Sequence, residues 1–258
     1  MSNLLRVKNA TLQFEDRTVW RDISFDISQG EFIAIIGSNG SGKSMLLKSI
    51  LGQQKLTSGE IEFSAAHEFG YIPQHRSAES NLPVKVRDFV RFGLDGEHYG
   101  IALPSKASKQ AVSDALEKVD ALQLADSQVS KLSGGEFQRV RVAQAIISQP
   151  KLILADEPLS ALDLHHQMTI SELINRQREQ QNAAVLFVTH DLNPIINFVD
   201  RVLYIAKGQH SIGTVDEVMR SEVLSKLYGT PIDVVRNQGR IVVLGSHDHD
   251  HHEHEEWV

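Results

Sequence analysis

The 258-residue chain contains no cysteine, which excludes disulfides and every thiolate metal site. It has no apolar run approaching the roughly 18 residues that a membrane-crossing helix requires. Its opening, MSNLLRVKNA, lacks the basic-then-apolar layout of an export signal, so the expectation is a cytosolic protein. A basic excess is missing as well. The formal net charge is −7, but the terminal SHDHDHHEHEEWV holds five of the 33 acidic residues and no Lys or Arg, leaving 28 acids against 26 bases elsewhere. Such a near-neutral body offers no bulk positive field for nucleic acid, although a local basic patch is compatible with it. What remains is an ordinary globular composition, 41% hydrophobic and 23% charged. At roughly 150 residues per domain, the length suits one large domain or one domain with a subdomain.

The most informative stretch is IAIIGSNGSGKSMLL, residues 33 to 47. EFIAII before it reads as a strand buried on both faces, and a helix is expected to start near Lys43. Glycines between strand and helix let successive N–H groups turn toward one anion, and the helix N-terminus adds partial positive charge. Gly37, Ser38, Asn39, Gly40, Ser41, Gly42, Lys43 and Ser44 fit the spacing G-x-x-x-x-G-K-S of a phosphate-binding loop. In that pattern Lys43 reaches the β- and γ-phosphates and the Ser44 hydroxyl ligates Mg²⁺. The alternative is a glycine-rich turn with an exposed lysine.

A second buried strand, KLILAD, ends in the carboxylates of Asp156 and Glu157. Neighbours on a strand point to opposite sides, so one carboxylate is expected to face Mg²⁺ and the other the attacking water of phosphoryl transfer. A pair of surface acids is the alternative. Ser133, Gly134 and Gly135 precede a helix with Phe137, Val140, Ala143 and Ile147 at helical spacing, a second anion-binding helix start. VLFVTHD ends a third buried strand in His190, where an imidazole could hydrogen-bond a γ-phosphate; a lone histidine is usually structural, and the position after the strand favours the phosphate.

Strand-like alternation over the first thirty residues suggests an antiparallel sheet leading into the phosphate-loop strand. Further strands are expected at FGYIP, KLILAD, AAVLFVT and RVLYIA, with helices near 43–51, 107–123, 135–148, 165–180 and 215–228. The alternation implies an α/β fold with a mainly parallel core sheet, an antiparallel β subdomain and a helical subdomain over about 75–150. The expected division is an ATPase unit over 1–240 and a His/acid-rich tail over 241–258.

Taken together, these motifs resemble the ATP-binding subunit of an ABC transporter. The match comprises Walker A (Gly37 to Ser44), the Q-loop (Gln74 in YIPQ), the LSGGE signature (Leu132 to Glu136), Walker B (Leu152 to Asp156), the catalytic glutamate (Glu157), the D-loop (Ser160 to Asp163) and the H-loop (His190). They occur in family order over residues 5 to about 210. The resemblance implies that Ser44 and Gln74 hold Mg²⁺, that Asp156 contacts the metal through water, and that Glu157 polarises the attacking water. It also implies a head-to-tail homodimer in which Ser133 and Gly135 reach the partner's γ-phosphate. His190 would then link phosphate, water and the opposite D-loop. Phe14 stands where an aromatic residue stacks on adenine, or else simply fills a strand face. Met45 follows Ser44 where the family most often has Thr.

A single ATPase unit without a membrane segment implies separate permease subunits, docked near the Q-loop and helical insertion, with an extracytoplasmic binding protein beyond them. The location implied is the cytoplasmic face of the inner membrane. The competing class acts on DNA or ribosomes and generally has two fused units or a long coiled coil, neither of which occurs here; no nucleic acid is expected. The segment YIPQHRSAESNLPVKVRDFVRFG resembles that of importers for zinc, manganese and iron chelates. Zinc is the first expectation for cargo, manganese the second and chelated iron or haem-type cargo the third. His247, His249, His251, His252 and His254, interleaved with Asp and Glu, offer ligands suited to Zn²⁺; a disordered solvated tail is the alternative.

Overall fold

A computed structural model describes residues 3–15, 17–64, 69–74, 83–95, 105–160 and 162–245. Two long strands come first, β1 (Asn3–Phe14) and β2 (Arg17–Ser28), then β3 (Phe32–Gly37) and helix α1 (Lys43–Ile50). Next are β4 (Ser58–Phe63), β5 (Phe69–Ile72), α2 (Val86–Asp95), α3 (Lys106–Lys118), α4 (Gly134–Ile146) and β6 (Leu152–Asp156). The chain continues through α5 (Leu164–Gln181), β7 (Ala184–Val188), β8 (Arg201–Ala206), β9 (Gln209–Gly213), α6 (Val215–Val218), α7 (Ser221–Tyr228), β10 (Ile232–Asn237) and β11 (Arg240–Gly245).

The central sheet has the order β5-β6-β7-β3-β8-β9. Its first five strands are parallel and β9 is antiparallel. β3, β6 and β7 are buried along their whole length, as their continuous apolar runs require. The strand period of two divides β3 between two cores. Phe32, Ala34 and Ile36 join the core with α4, α5 and the helical region, while Ile33 and Ile35 join the one with α1, β1 and β2. A separate antiparallel sheet, β2-β1-β4, covers the second face. The expected α/β architecture with an antiparallel subdomain is therefore present.

Several boundaries differ from the sequence reading. The helix expected over 107–123 ends at Lys118, because Asp120 adopts a left-handed backbone (φ 51°) and a 3₁₀ turn follows over Leu122–Leu124. The segment 215–228 forms two helices. Met219 and Arg220 leave helical geometry between them, and the Thr214–Glu217 capping box fixes the start of the first. Residues 240–245, which the reading splits between ATPase unit and tail, form one strand paired to β10, so the folded unit reaches Gly245. β4, β9 and the β10–β11 hairpin lacked a distinct signal, being short or largely exposed. The tail histidines 247, 249, 251, 252 and 254 lie outside the described residues, as does 75–82 of the Q-loop segment.

Candidate active site

Strand order builds the site. β6, β7 and β3 are adjacent and parallel, so their C-terminal ends deliver Asp156, the residues before His190, and the glycine loop to one edge of the sheet. That edge is where open α/β sheets bind ligands. The ladder continues past the strands: Glu157 N–H donates to Val188 O at 3.0 Å, and Thr189 N–H to Ile35 O at 3.1 Å. β7 thus ends two residues before His190, which stands exposed beyond the strand.

The loop after β3 folds around its own lysine. Lys43 Nζ donates to Gly37 O (2.8 Å) and Ser38 O (3.1 Å), and the side chain is almost fully buried. Burial lowers the Lys43 pKa, while the nearby Glu157 and Asp156 carboxylates act in the opposite direction. Gly42 caps α1 with a left-handed backbone (φ 92°), and a Cβ there would lie 2.3 Å from Val19 Cγ1 and 2.7 Å from Trp20 Cδ1. Trp20 is fully buried and donates from Nε1 to Gly42 O at 3.3 Å. A Cβ at Gly40, by contrast, meets nothing within 4 Å.

Two hydrogen bonds gather the polar groups. Ser44 Oγ donates to Asp156 Oδ1 at 2.7 Å, and Gln74 Nε2 donates to Glu157 Oε2 at 3.1 Å. Lys43 Nζ is 3.9 Å from Glu157 Oε1. Burial raises the Asp156 pKa, partly offset by the Ser44 hydrogen bond. Glu157 does not sit on the strand as the alternation argument supposed. It turns off the end of β6 with φ 47°, a strained conformation for a non-glycine residue, and this turn separates its carboxylate from that of Asp156.

Phe14, Arg17, Val19, Asn39, Gly40, Gly42, Lys43, Ser44, Met45, Gln74 and Glu157 line one open cavity of about 500 Å³. Phe14 is 44% exposed there, available as a flat apolar face. These residues fit a nucleotide with its metal. The loop carries an open glycine and a buried Ser41 hydroxyl without a hydrogen-bond partner among the described residues. Ser44, Asp156 and Gln74 form an all-oxygen-type donor set of the kind a hard cation prefers. His190 lines a small adjoining cavity with Glu157, Ser160, Gln167 and Thr189.

The second glycine motif stands apart. Ser133, Gly134 and Gly135 are not among the residues lining the loop cavity. Ser133 caps α4 in a capping box, its N–H and Oγ both donating to Glu136 Oε2 at 2.9 and 2.8 Å. Those bonds lower the Glu136 pKa. Asp163 caps α5 and bonds His166. Sequence reasoning also missed Arg141, buried on α4, whose guanidinium donates to Pro73 O at 3.1 Å beside Gln74. Burial pushes it down to about 10. An arginine at a helical core position was the available signal.

Residues 20–160 match the family model described as ABC transporter. The chain is 35% identical over 229 residues to a protein of Photorhabdus laumondii called zinc import ATP-binding protein ZnuC, covering 89% of this chain and 85% of that one. Its structure resembles a chain solved in an inward-facing conformation of an ABC transporter described as metal-chelate type, with TM-score 0.82, 30% identity, and coverage of 94% of this chain and 96% of the other. It also resembles a bacterial ABC transporter cassette solved as a dimer, with TM-score 0.71, 26% identity, and coverage of 82% and 99%. The chain belongs to the ABC transporter family as an ATP-binding, ATP-hydrolysing subunit.

Proposed function

We propose that this chain powers an importer for zinc, binding and hydrolysing ATP as one of two ATPase copies beneath a membrane permease. The observation that carries the cargo assignment is the 35% identity, over 89% of the chain, to a protein whose name is zinc import ATP-binding protein. Manganese is the second candidate and chelated iron or haem-type cargo the third. Among the described residues no helix is long and apolar enough to cross a membrane. Similarity to an ATP-binding subunit of an ABC importer supports a peripheral place on the cytoplasmic face, with separate permease subunits and an extracytoplasmic binding protein.

In this reading Lys43 and the loop amides hold the triphosphate, and Phe14 stacks on the base. Ser44, Gln74 and Asp156 hold Mg²⁺, whose charge offsets that of the phosphates. Glu157 accepts the proton of the attacking water as oxygen bonds to the γ-phosphorus and the β–γ bridging bond breaks, releasing ADP and phosphate. Gln74 orients Glu157 through the bond already present. Ser133, Gly134 and Gly135 meet the nucleotide of a second copy, which would account for their not lining this chain's own loop cavity. His190 and Asp163 complete the shared site. The tail histidines are assigned a separate, weak Zn²⁺ site.

Reconstitution with the membrane subunits and binding protein tests the reading. ATP-driven uptake should be greatest with Zn²⁺, smaller with Mn²⁺ and minimal with chelated iron. It should be lost with Lys43→Ala. Preferential uptake of an iron chelate, or co-purification with ribosomes or DNA instead of a permease, would overturn it.

A further inference from the structure

Gly134 and Gly135 are adjacent, yet their side-chain positions face different surroundings. A Cβ at Gly134 would meet nothing within 4 Å, whereas one at Gly135 would lie 2.4 Å from His166 Cδ2 and 2.8 Å from His166 Nε2. A side chain at the second glycine would therefore displace the His166 ring. Its neighbour faces open space.

The other side of the same imidazole is held by the loop that precedes α5. His166 Nδ1 lies 2.9 Å from both Asp163 carboxylate oxygens, and His166 N–H donates to Asp163 Oδ1 at 2.9 Å. A carboxylate only accepts, so the ring must carry its proton on Nδ1, leaving Nε2 on the Gly135 side. The two bonds from His166 also lower the Asp163 pKa, keeping that carboxylate ionised as the cap of α5. Gln167, the next residue, donates from Nε2 to Leu162 O at 3.0 Å and fixes the same loop from behind. One ring therefore touches the start of α4 on one edge and the start of α5 on the other, across about thirty residues of sequence.

We propose that His166 is a positioning residue that locks the Ser133–Gly135 turn to Leu162 and Asp163 at the start of α5, so that both present themselves to the second ATPase copy as one rigid surface. The inference rests on the two-copy reading above. Without the ring, each helix start keeps its own cap, Ser133 or Asp163, but their relative position is free to vary. The expected loss is therefore in ATP-driven association, with ATP binding by the single chain retained.

The test uses the full chain carrying Glu157→Gln and measures the ATP concentration needed for half-maximal dimer by size-exclusion chromatography with light scattering. Adding Gly135→Ala should raise that concentration by about tenfold or more, and adding His166→Ala to it should recover most of the loss, a coupling expected only of residues in contact. His166→Ala alone should give a smaller rise, with ATP binding to the monomer and the unfolding midpoint nearly unchanged. Gly134→Ala should gain nothing from His166→Ala. A harmless Gly135→Ala, a defect that His166→Ala does not relieve, or a fall in monomer ATP binding and midpoint with His166→Ala would each overturn the proposal. Failure of Glu157→Gln itself to dimerise with ATP would instead overturn the two-copy reading, and this inference with it.

Discussion

The Ser44 hydroxyl donates a 2.7 Å hydrogen bond to Asp156, joining the first turn of α1 to the end of β6 across 112 residues of sequence. The contact brings two Mg²⁺-ligand candidates together in a partly buried setting, where burial raises the Asp156 pKa against the opposing Ser44 hydrogen bond, a cost that a bound cation would offset.

That burial has a pH consequence. The folded-state pKa of Asp156 is raised above 3.8, so the native protein holds this proton to higher pH than the unfolded chain. Its contribution to stability is present at low pH and is lost as pH rises through the window above 3.8. Asp156→Asn should therefore raise the metal-free unfolding midpoint at neutral pH, by about 2–4 °C for about 1 kcal/mol in a chain of this size, while abolishing Mg²⁺-dependent hydrolysis. Calorimetric melts with and without MgATP check both halves; a lowered metal-free midpoint would contradict the buried-anion account.

Glu157→Gln keeps an oxygen for the Gln74 hydrogen bond and the same side-chain shape, but removes the group that accepts a proton from water. Hydrolysis should fall by about 10²- to 10⁴-fold with ATP affinity preserved. Steady-state phosphate release alongside fluorescent-nucleotide binding separates the two effects, and near-normal release would remove Glu157 from the base role.

Gly42→Ala introduces a Cβ 2.3 Å from Val19 and 2.7 Å from Trp20 at a backbone angle of 92°. Strain and overpacking together should destabilise the protein by about 2–4 kcal/mol and weaken ATP binding, because the same turn sets the start of α1. Urea unfolding measures the first effect and nucleotide titration the second. Unchanged values in both would show that the Trp20 contact does not hold the loop.

Deleting residues 246–258 should leave basal ATP hydrolysis intact and remove most Zn²⁺ uptake seen by isothermal calorimetry. Fixing a flexible segment costs about 1–2 kcal/mol per residue, so binding by the five histidines should be weak and heterogeneous. It should fade below about pH 6, where protonated imidazole has no lone pair for a metal. Equal Zn²⁺ uptake by both proteins would exclude the tail as a site.

The sequence by itself determined the chemistry on offer at the nucleotide site. Asp156 and Glu157 stand at and just beyond the end of one strand, and Lys43 and Ser44 at the helix start that follows another; both strands are marked by continuous apolar runs, legible because a buried parallel strand must be apolar on both faces. The tertiary structure decided which groups meet. Ser44 reaches Asp156 only because β6 and β3 flank β7, a sheet order that no local pattern encodes. Glu157 is aimed by a left-handed turn that strand alternation does not foresee. The break between α6 and α7 was invisible, because apolar spacing persists through Val218, Met219 and Leu224 while the backbone leaves helical geometry at Met219 and Arg220. His166 shows the limit most clearly: as one of two adjacent histidines on a helix it carries no signal, and its importance arises from a glycine about thirty residues earlier whose missing side chain leaves room for its ring.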